Sequence, residues 1–165
     1  DAGSGEPYTL HLVDGAGGAF VGEVREAFGY VLNNIAEKCF KNDVFKGDCA
    51  RAVIEYVRNK YGGELEFLWS GFPSNAVWRR KDNNKWYGVM LTVAKSKLGL
   101  NSDEVVNIID LRINPEHLDK LVDGVKYFRG YHMNKKHWFT MCLDGSVPVE
   151  EICGYIDASY LLAKK

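Results

Sequence analysis

The stretch from Gly130 to Pro148, GYHMNKKHWFTMCLDGSVP, constrains the fold more than any other part of the sequence. Its first half, residues 131–137, holds hydrogen-bonding and cationic side chains and no acid, which is unusual for a simple connector. Residues 138–143 then carry aromatic and apolar side chains on both faces, which predicts a central strand of a covered sheet. Pro148, followed by two glutamates, predicts the first turn of a helix.

Hydrophobic periodicity places the other elements around this strand. The spacing predicts a long amphipathic helix from Phe20 to about Phe40, and a second helix that Asp48 caps and Gly62 ends. The further predicted strands are Ala76–Lys81, Trp86–Val93, Val105–Ile113 and Lys126–Gly130, and the further helices are Pro115–Val122 and one from Pro148 onward. This order predicts an α+β fold with a mostly antiparallel five-stranded sheet and helices packed on it.

The first 45 residues predict a separate piece of structure. Tyr8–Val13 has the composition of an extra strand, and a glycine-rich turn joins it to the long helix. These glycines lack both the Walker lysine and the GxGxxG spacing, so they do not predict a phosphate loop. Because the chain begins with Asp1 and a polar segment, we interpret residues 1–45 as the tail of a preceding domain and residues 46–165 as the main domain.

The composition is typical of an intracellular globular protein. The chain has 165 residues, enough for one domain with a substantial core. Its cysteines lack CxxC spacing and predict free thiols in a reducing compartment rather than disulfides or a zinc site. They are Cys39, Cys49, Cys142 and Cys153. No apolar run approaches a membrane span, and no signal peptide is visible. We therefore predict a cytoplasmic protein with no membrane partner and no cofactor.

The formal net charge of −1 hides two strongly basic windows. Residues 1–45 carry a net charge of −4, whereas residues 46–165 carry +3. Within the second part, residues 76–100 hold six bases and one acid, and residues 125–140 hold four bases and no acid. Clustered positive charge of this kind is what contact with phosphates requires.

Several motifs together resemble the MmcQ/YjbR family. They are the Gly130–Pro148 stretch, the segment EEICGYIDASYLLA after it, and RNKYGGELEFLW (58–69), AVWRRKDNNKWYGVML (76–91), SKLGL (96–100) and VVNIIDLR (105–112). Their order and spacing cover about residues 48–163. The resemblance implies a small α+β domain with a CyaY/frataxin-like fold, often described as a DNA-binding double wing.

The basic windows and the resemblance lead to one functional hypothesis, which is non-enzymatic binding of DNA. Cations would contact phosphates, while Trp86, Tyr131 or His132 would stack on bases or enter a groove. Strand alternation places Arg80 on the face opposite to its neighbours, so the cations of this strand cannot all share one ligand. The predicted DNA-contacting residues are Arg79, Arg80, Lys81, Lys85, Lys95, Lys97, Arg129, His132, Asn134, Lys135 and Lys136.

Three other interpretations stay open. Lysines and arginines that only protect the edge of a hairpin would explain the same charges without any partner. A protein-interaction module would bind another domain or a second copy of the chain through the long first helix and an apolar connector, Phe67, Leu68, Trp69 and Phe72. A small-molecule pocket would be lined by Trp78, Trp86, His132 and Trp138.

Catalytic and metal sites have less support from the sequence. Cys142 lies in an apolar strand, and no third group is identifiable that would orient a histidine beside it. His132 and His137 are five residues apart, which does not match the spacing of a helical metal-binding pair. We interpret both histidines as partners of backbone carbonyl groups in a turn. The expectation is therefore a protein that is not an enzyme.

Overall fold

The computed structural model describes residues 5–39 and 44–164. The chain forms two compact units, Asp1–Asp43 and Val44–Lys165. The larger unit contains a five-stranded sheet, with strands β1 (Ala76–Arg79), β2 (Trp86–Ala94), β3 (Val105–Arg112), β4 (Tyr127–Arg129) and β5 (Trp138–Cys142). The strand order is β1-β2-β3-β5-β4, and every pair of neighbours is antiparallel. The predicted α+β fold is confirmed.

Helices of the larger unit pack on one face of this sheet. They are α2 (Asp48–Tyr61), α3 (Pro115–Leu121) and α4 (Val149–Leu162), where α1 denotes Ala19–Cys39 of the smaller unit. Val53 of α2 and Ile156 of α4 are fully buried against strand residues such as Ile109. The opposite face carries a second cluster that includes Val89 and Ile108. Strands with apolar residues on both faces, as predicted for β3 and β5, therefore lie inside the sheet.

Both ends of α2 follow from local sequence. Gly47 occupies the cap position, and Asp48 is the first helical residue, where its carboxylate lies near the positive end of the helix dipole. The prediction that Asp48 caps the helix is therefore wrong by one position. Gly62 has φ of 58°, the left-handed conformation that ends helices at low cost when the residue is glycine.

Gly88 in β2 combines a register shift with a close contact. The pairing of β1 with β2 moves from Trp78–Gly88 to Arg79–Trp86, so β2 carries one extra residue at this point. A Cβ atom on Gly88 would lie 2.8 Å from Cε3 of the buried Trp78 ring. A glycine inside a strand predicts a bulge or a close approach of another backbone; the bulge is confirmed, whereas the close neighbour is a side chain.

The smaller unit corrects one prediction. The segment predicted as a strand, Tyr8–Val13, instead contains a 3₁₀ turn at Leu10–Leu12. Its amide groups bond locally, from Leu12 to Thr9 and from Val13 to Leu10. Arg25 of α1 donates further hydrogen bonds to the carbonyl oxygens of His11 and Val13. A strand needs a neighbouring strand for its hydrogen bonds, and here local turns and an arginine satisfy these groups instead.

Some sequence-based expectations concern residues that the structure does not describe. The predicted break after α1, at residues 40–43, lies outside the described residues, and so does the side chain of Cys39. The three cysteines whose side chains are described, Cys49, Cys142 and Cys153, are free thiols. Within the described part of the chain, no helix has the length and apolar character needed to cross a membrane.

Candidate nucleic-acid interface

Two basic loops project from the same end of the sheet. Because neighbouring strands are antiparallel, the β1–β2 loop, the end of β3 and the β4–β5 loop all lie at one end. We call this region, residues 80–85, 112–115 and 130–137, the loop end. It contains many of the residues predicted to contact DNA, although those residues come from segments about 50 positions apart in the sequence.

The β1–β2 loop is held by its asparagines. Asn84 has φ of 59°, a left-handed conformation that asparagine tolerates better than most residues. The Asn83 side chain accepts a hydrogen bond from the backbone of Lys85 and donates one to the carbonyl of Ala163. The loop is therefore tied to the end of α4, and it presents Lys81 and Lys85 on its exposed surface.

The β4–β5 loop is organised around Asn134. Its carbonyl oxygen accepts hydrogen bonds from the amides of His137 and Trp138, each 3.0 Å long. Its side-chain oxygen accepts a third from the amide of Lys136 at 2.9 Å. This residue, predicted to contact DNA, thus shapes the loop, and the neighbouring Lys135 and Lys136 remain exposed.

Replacing Asn134 with alanine is expected to lower the free energy of unfolding by about 1 kcal/mol, because one side-chain to backbone hydrogen bond is lost. Urea unfolding measures this change. Hydrogen exchange at the Lys136 amide should become faster in the same variant. Asn101→Ala, at an exposed position of another loop, is the matched control and should have little effect. Equal losses in the two variants would contradict the role of Asn134.

A buried carboxyl group anchors the start of the β4–β5 loop. Asp110 of β3 is fully buried, and its Oδ1 accepts hydrogen bonds from the hydroxyl of Thr140 and, at 2.9 Å, from the amide of Tyr131. Its Oδ2 has no hydrogen-bond partner. Burial raises the pKa of Asp110 to about 7, and the two hydrogen bonds offset only part of this effect. Sequence patterns did not single out this residue.

Three of the predicted DNA-contacting arginines already have acidic partners. Arg79 lies 2.9 Å from a carboxylate oxygen of Glu66, and Arg129 lies 2.6 Å from Asp119. Arg80 is buried, where it makes a two-point ion pair with Asp82, bonds to the carbonyl of Tyr160 and lies over the Tyr160 ring. Asp82 holds the pKa of Arg80 above its usual value through this hydrogen-bonded pair. Arg80 is therefore poorly available to phosphates, whereas the ion pairs of Arg79 and Arg129 are partly exposed and contribute little to stability.

Two predicted lysines lie at the other end of the sheet. Lys95 and Lys97 follow the last residue of β2, whereas the loop end adjoins its first residue. Lys95 also bonds to two carboxylates, those of Glu104 and Asp144, at 2.8 and 2.9 Å. Hydrogen bonds to these carboxylates raise the pKa of Lys95. The structure therefore does not bring this pair together with the other predicted residues.

Arg112 at the loop end donates to the carbonyl of Trp86 and lies over the Trp138 ring, and the other cations that remain there are lysines. Lys81, Lys135 and Lys136 are exposed, and none of them makes an ion pair with a carboxylate of the described residues. His132 is exposed beside them, with φ of 57° and its ring 4.3 Å from that of Tyr131. Among the described residues, neither His132 nor His137 donates the side-chain hydrogen bond to a backbone carbonyl that the sequence suggested, and Asn134 holds the turn instead.

Neither the apolar connector nor the proposed aromatic pocket brings its residues together in the structure. In the apolar connector, Phe67 and Trp69 pack against the two core clusters, while Leu68 and Phe72 are exposed. They do not form one patch. The proposed aromatic pocket does not form either, because Trp78 is buried on the helical face of the sheet whereas the Trp86 and Trp138 rings pack on the opposite face.

Nucleophilic and metal chemistry gain no support from the geometry. Cys142 is buried in β5, and burial raises the pKa of its thiol to about 11, which disfavours the reactive thiolate. In the described ranges, no group of three or more histidine, cysteine, aspartate or glutamate side chains is placed to hold a metal ion.

A cavity that the sequence did not predict lies between α3 and α4. It has a volume of about 660 Å³, and its lining includes Ile113, His117, Lys120, Phe139, Tyr155 and Ala158. These residues belong to α3, β5, α4 and the connection between β3 and α3, so only the tertiary structure brings them together. Their apolar spacing on each helix is the only signal in the sequence, and that signal is equally typical of core residues.

Comparison with known proteins identifies relatives over most of the larger unit. The YjbR family model matches residues 58–162. The uncharacterised protein YyaQ of Bacillus subtilis is 36% identical over 112 residues, which are 68% of this chain and 95% of that protein.

Solved structures share the fold of the larger unit. A crystal structure of a Pseudomonas syringae protein is 36% identical, with a TM-score of 0.66 over 68% of this chain and 97% of that one. A Deinococcus radiodurans protein with a DUF419 domain is 25% identical, with a TM-score of 0.50 over 70% of this chain and 75% of that one. The family match covers more than half of the chain, and it includes both basic loops. The protein therefore belongs to the YjbR family.

Proposed function

We propose that this protein binds DNA through the loop end of its sheet. The observation that carries the proposal is the placement of two basic loops at one end, with the exposed lysines Lys81, Lys135 and Lys136 on them. The ammonium group of a lysine that has no carboxylate partner is available to an external anion. Phosphates of the nucleic-acid backbone are anions that such lysines bind without a specific geometry.

The separation of the two loops suits a duplex. The middle of the β1–β2 pair and the middle of the β5–β4 pair are three strand spacings apart in the sheet. At about 4.8 Å per spacing this is about 14 Å, close to the width of about 12 Å of a DNA major groove. Lys81 on one loop would then contact one phosphate backbone, and Lys135 and Lys136 on the other loop would contact the second.

A salt titration tests phosphate contact directly. Three lysine–phosphate contacts predict a loss of affinity of about 40-fold between about 50 and 200 mM salt, because each contact releases a counterion from the DNA. Fluorescence anisotropy of labelled duplex and single-stranded DNA measures this dependence. The double variant Lys135→Glu/Lys136→Glu should lower the salt slope by about 2 and weaken binding strongly.

A matched control separates a local contact from a general effect of charge. Lys97 and Lys126 are exposed at the opposite end of the sheet, so Lys97→Glu/Lys126→Glu changes the net charge by the same amount. This control should bind nearly as the wild type does. The proposal is wrong if both double variants lose the same affinity, or if the wild-type protein binds neither DNA at low salt.

A further inference from the structure

We propose that the cavity between α3 and α4 is a binding site for a small organic acid with an apolar body. Its volume of about 660 Å³ lies within the range of about 300–1,000 Å³ that is typical of small-molecule sites. An adjoining cleft of about 220 Å³ shares Arg112, Ile113, Asn114 and Leu162 with it. The adjoining cleft lies at the loop end, but this proposal does not require DNA binding, because none of Lys81, Lys135 and Lys136 lines either cavity.

The apolar part of the cavity has a defined floor and an exposed wall. The rings of Phe139 and Tyr155 meet edge to face at 5.1 Å and form the floor. Ala158 has a small side chain, so α4 leaves space above these rings. Leu161, on the next turn of α4, is 66% exposed although it is a large apolar residue. An apolar ligand would cover Leu161 and remove this surface from water.

The wall of the cavity is almost entirely apolar, and its cationic lining residues are Arg112 and Lys120. Lys120 and His117 of α3 lie on its rim, and no acidic residue is among the described residues that line it. The acids of the same two helices that have identified partners bond elsewhere. Asp119 pairs with Arg129, Glu151 accepts a hydrogen bond from Tyr127, and Asp157 pairs with Lys60. A carboxylate at the rim would therefore meet the positive charge of Lys120 and no acid of the lining, although Glu116 lies one helical turn away on α3.

Two molecules of the same shape test the proposal. We would titrate the protein with 2-naphthoate and with 2-naphthamide, and follow amide chemical shifts by NMR. The acid is expected to bind about threefold to fivefold more tightly than the amide, the gain typical of one exposed ion pair. The largest shifts should occur at residues of the lining, such as His117, Leu121 and Ala158. Equal affinities, or shifts centred elsewhere, overturn the proposal.

Variants separate the apolar from the charged contribution. Ala158→Trp places a large ring in the cavity from an exposed helix position, and should reduce affinity for 2-naphthoate at least about tenfold by occlusion. Lys120→Glu should reduce the preference for the acid, with Arg112 as the remaining cation of the lining, whereas the control Lys126→Glu should leave affinity unchanged. Circular dichroism checks that each variant folds.

The other candidate occupant of this cavity is a second copy of the chain. Sedimentation tests for it by measuring whether the protein is a monomer or a dimer. If the wild-type protein is a dimer and Ala158→Trp makes it a monomer, the groove is an interface between copies and the small-ligand proposal is overturned. Unchanged binding of 2-naphthoate to Ala158→Trp overturns it as well.

Discussion

Asp110→Asn is expected to stabilise the protein at pH 8 by up to about 4 kcal/mol and to leave its stability nearly unchanged at about pH 4. The carboxyl group of Asp110 is fully buried, and its pKa is raised from the usual 3.8 to about 7 in the folded protein. Asparagine has the same shape and never carries the charge. Its side-chain oxygen can still accept the hydrogen bonds from Thr140 and Tyr131.

The direction of this effect follows from proton binding. Between about pH 4 and pH 7 the folded protein retains a proton on Asp110 that the unfolded chain has lost. Stability therefore falls as pH rises through this window, and the penalty is complete above pH 7. The difference in free energy of unfolding between wild type and Asp110→Asn isolates this group from the other carboxylates of the protein.

Two measurements check the prediction for Asp110. Urea unfolding of both proteins across the pH window gives the difference in stability, and a carbon NMR titration gives the pKa of the carboxyl group itself. Thr140→Val should raise this pKa further, because the hydroxyl group that stabilises the ionised form is removed. A carboxyl group that titrates near pH 4, or a constant difference between the two proteins, would contradict the prediction.

Gly88→Ala is expected to destabilise the protein by about 1–3 kcal/mol. The new methyl group would lie 2.8 Å from the ring of Trp78 and 3.6 Å from Leu111. Trp78 and Leu111 are fully buried, so neither side chain has free space into which to move. Relief requires a shift of β1 relative to β2, which would also disturb the β1–β2 loop that carries Lys81.

Gly154→Ala is the matched control for this substitution. Gly154 lies in α4, and a Cβ atom there would have no neighbour within 4 Å. Alanine at this position should stabilise the helix by about 0.5–1 kcal/mol, because it restricts the unfolded chain without a clash. Thermal unfolding compares the two variants. If both change stability in the same direction, steric contact with Trp78 is not the cause at Gly88.

Most of the fold could be predicted because its signals are local. Apolar residues on both faces of β3 and β5 identified interior strands, and Gly62 marked the end of α2. The segment Tyr8–Val13 was mispredicted because strand composition does not supply a pairing partner. Whether a short β-prone segment becomes a strand depends on hydrogen-bond partners that lie far away in the sequence.

The candidate site could be predicted only in part because charge in a sequence does not reveal pairing. The sequence identifies Arg80, Lys95 and Lys135 as equally basic, yet the first two bond to carboxylates and the third does not. Asp119 and Glu66 neutralise two more of the predicted arginines from separate segments. Asp110 was missed because nothing in the pattern of β3 distinguishes a buried carboxylate from an exposed one.

The two edges of the sheet limit how copies of this protein can associate. Beside β1, a bridge between Glu66 and Val77 uses the hydrogen-bonding groups of the outer edge, with bonds of 2.9 and 3.0 Å. At the other edge, β4 has only three residues. A covered edge and a short edge are poor templates for adding a strand from another chain. Contacts between copies would therefore form through side chains, and growth into a continuous intermolecular sheet is disfavoured.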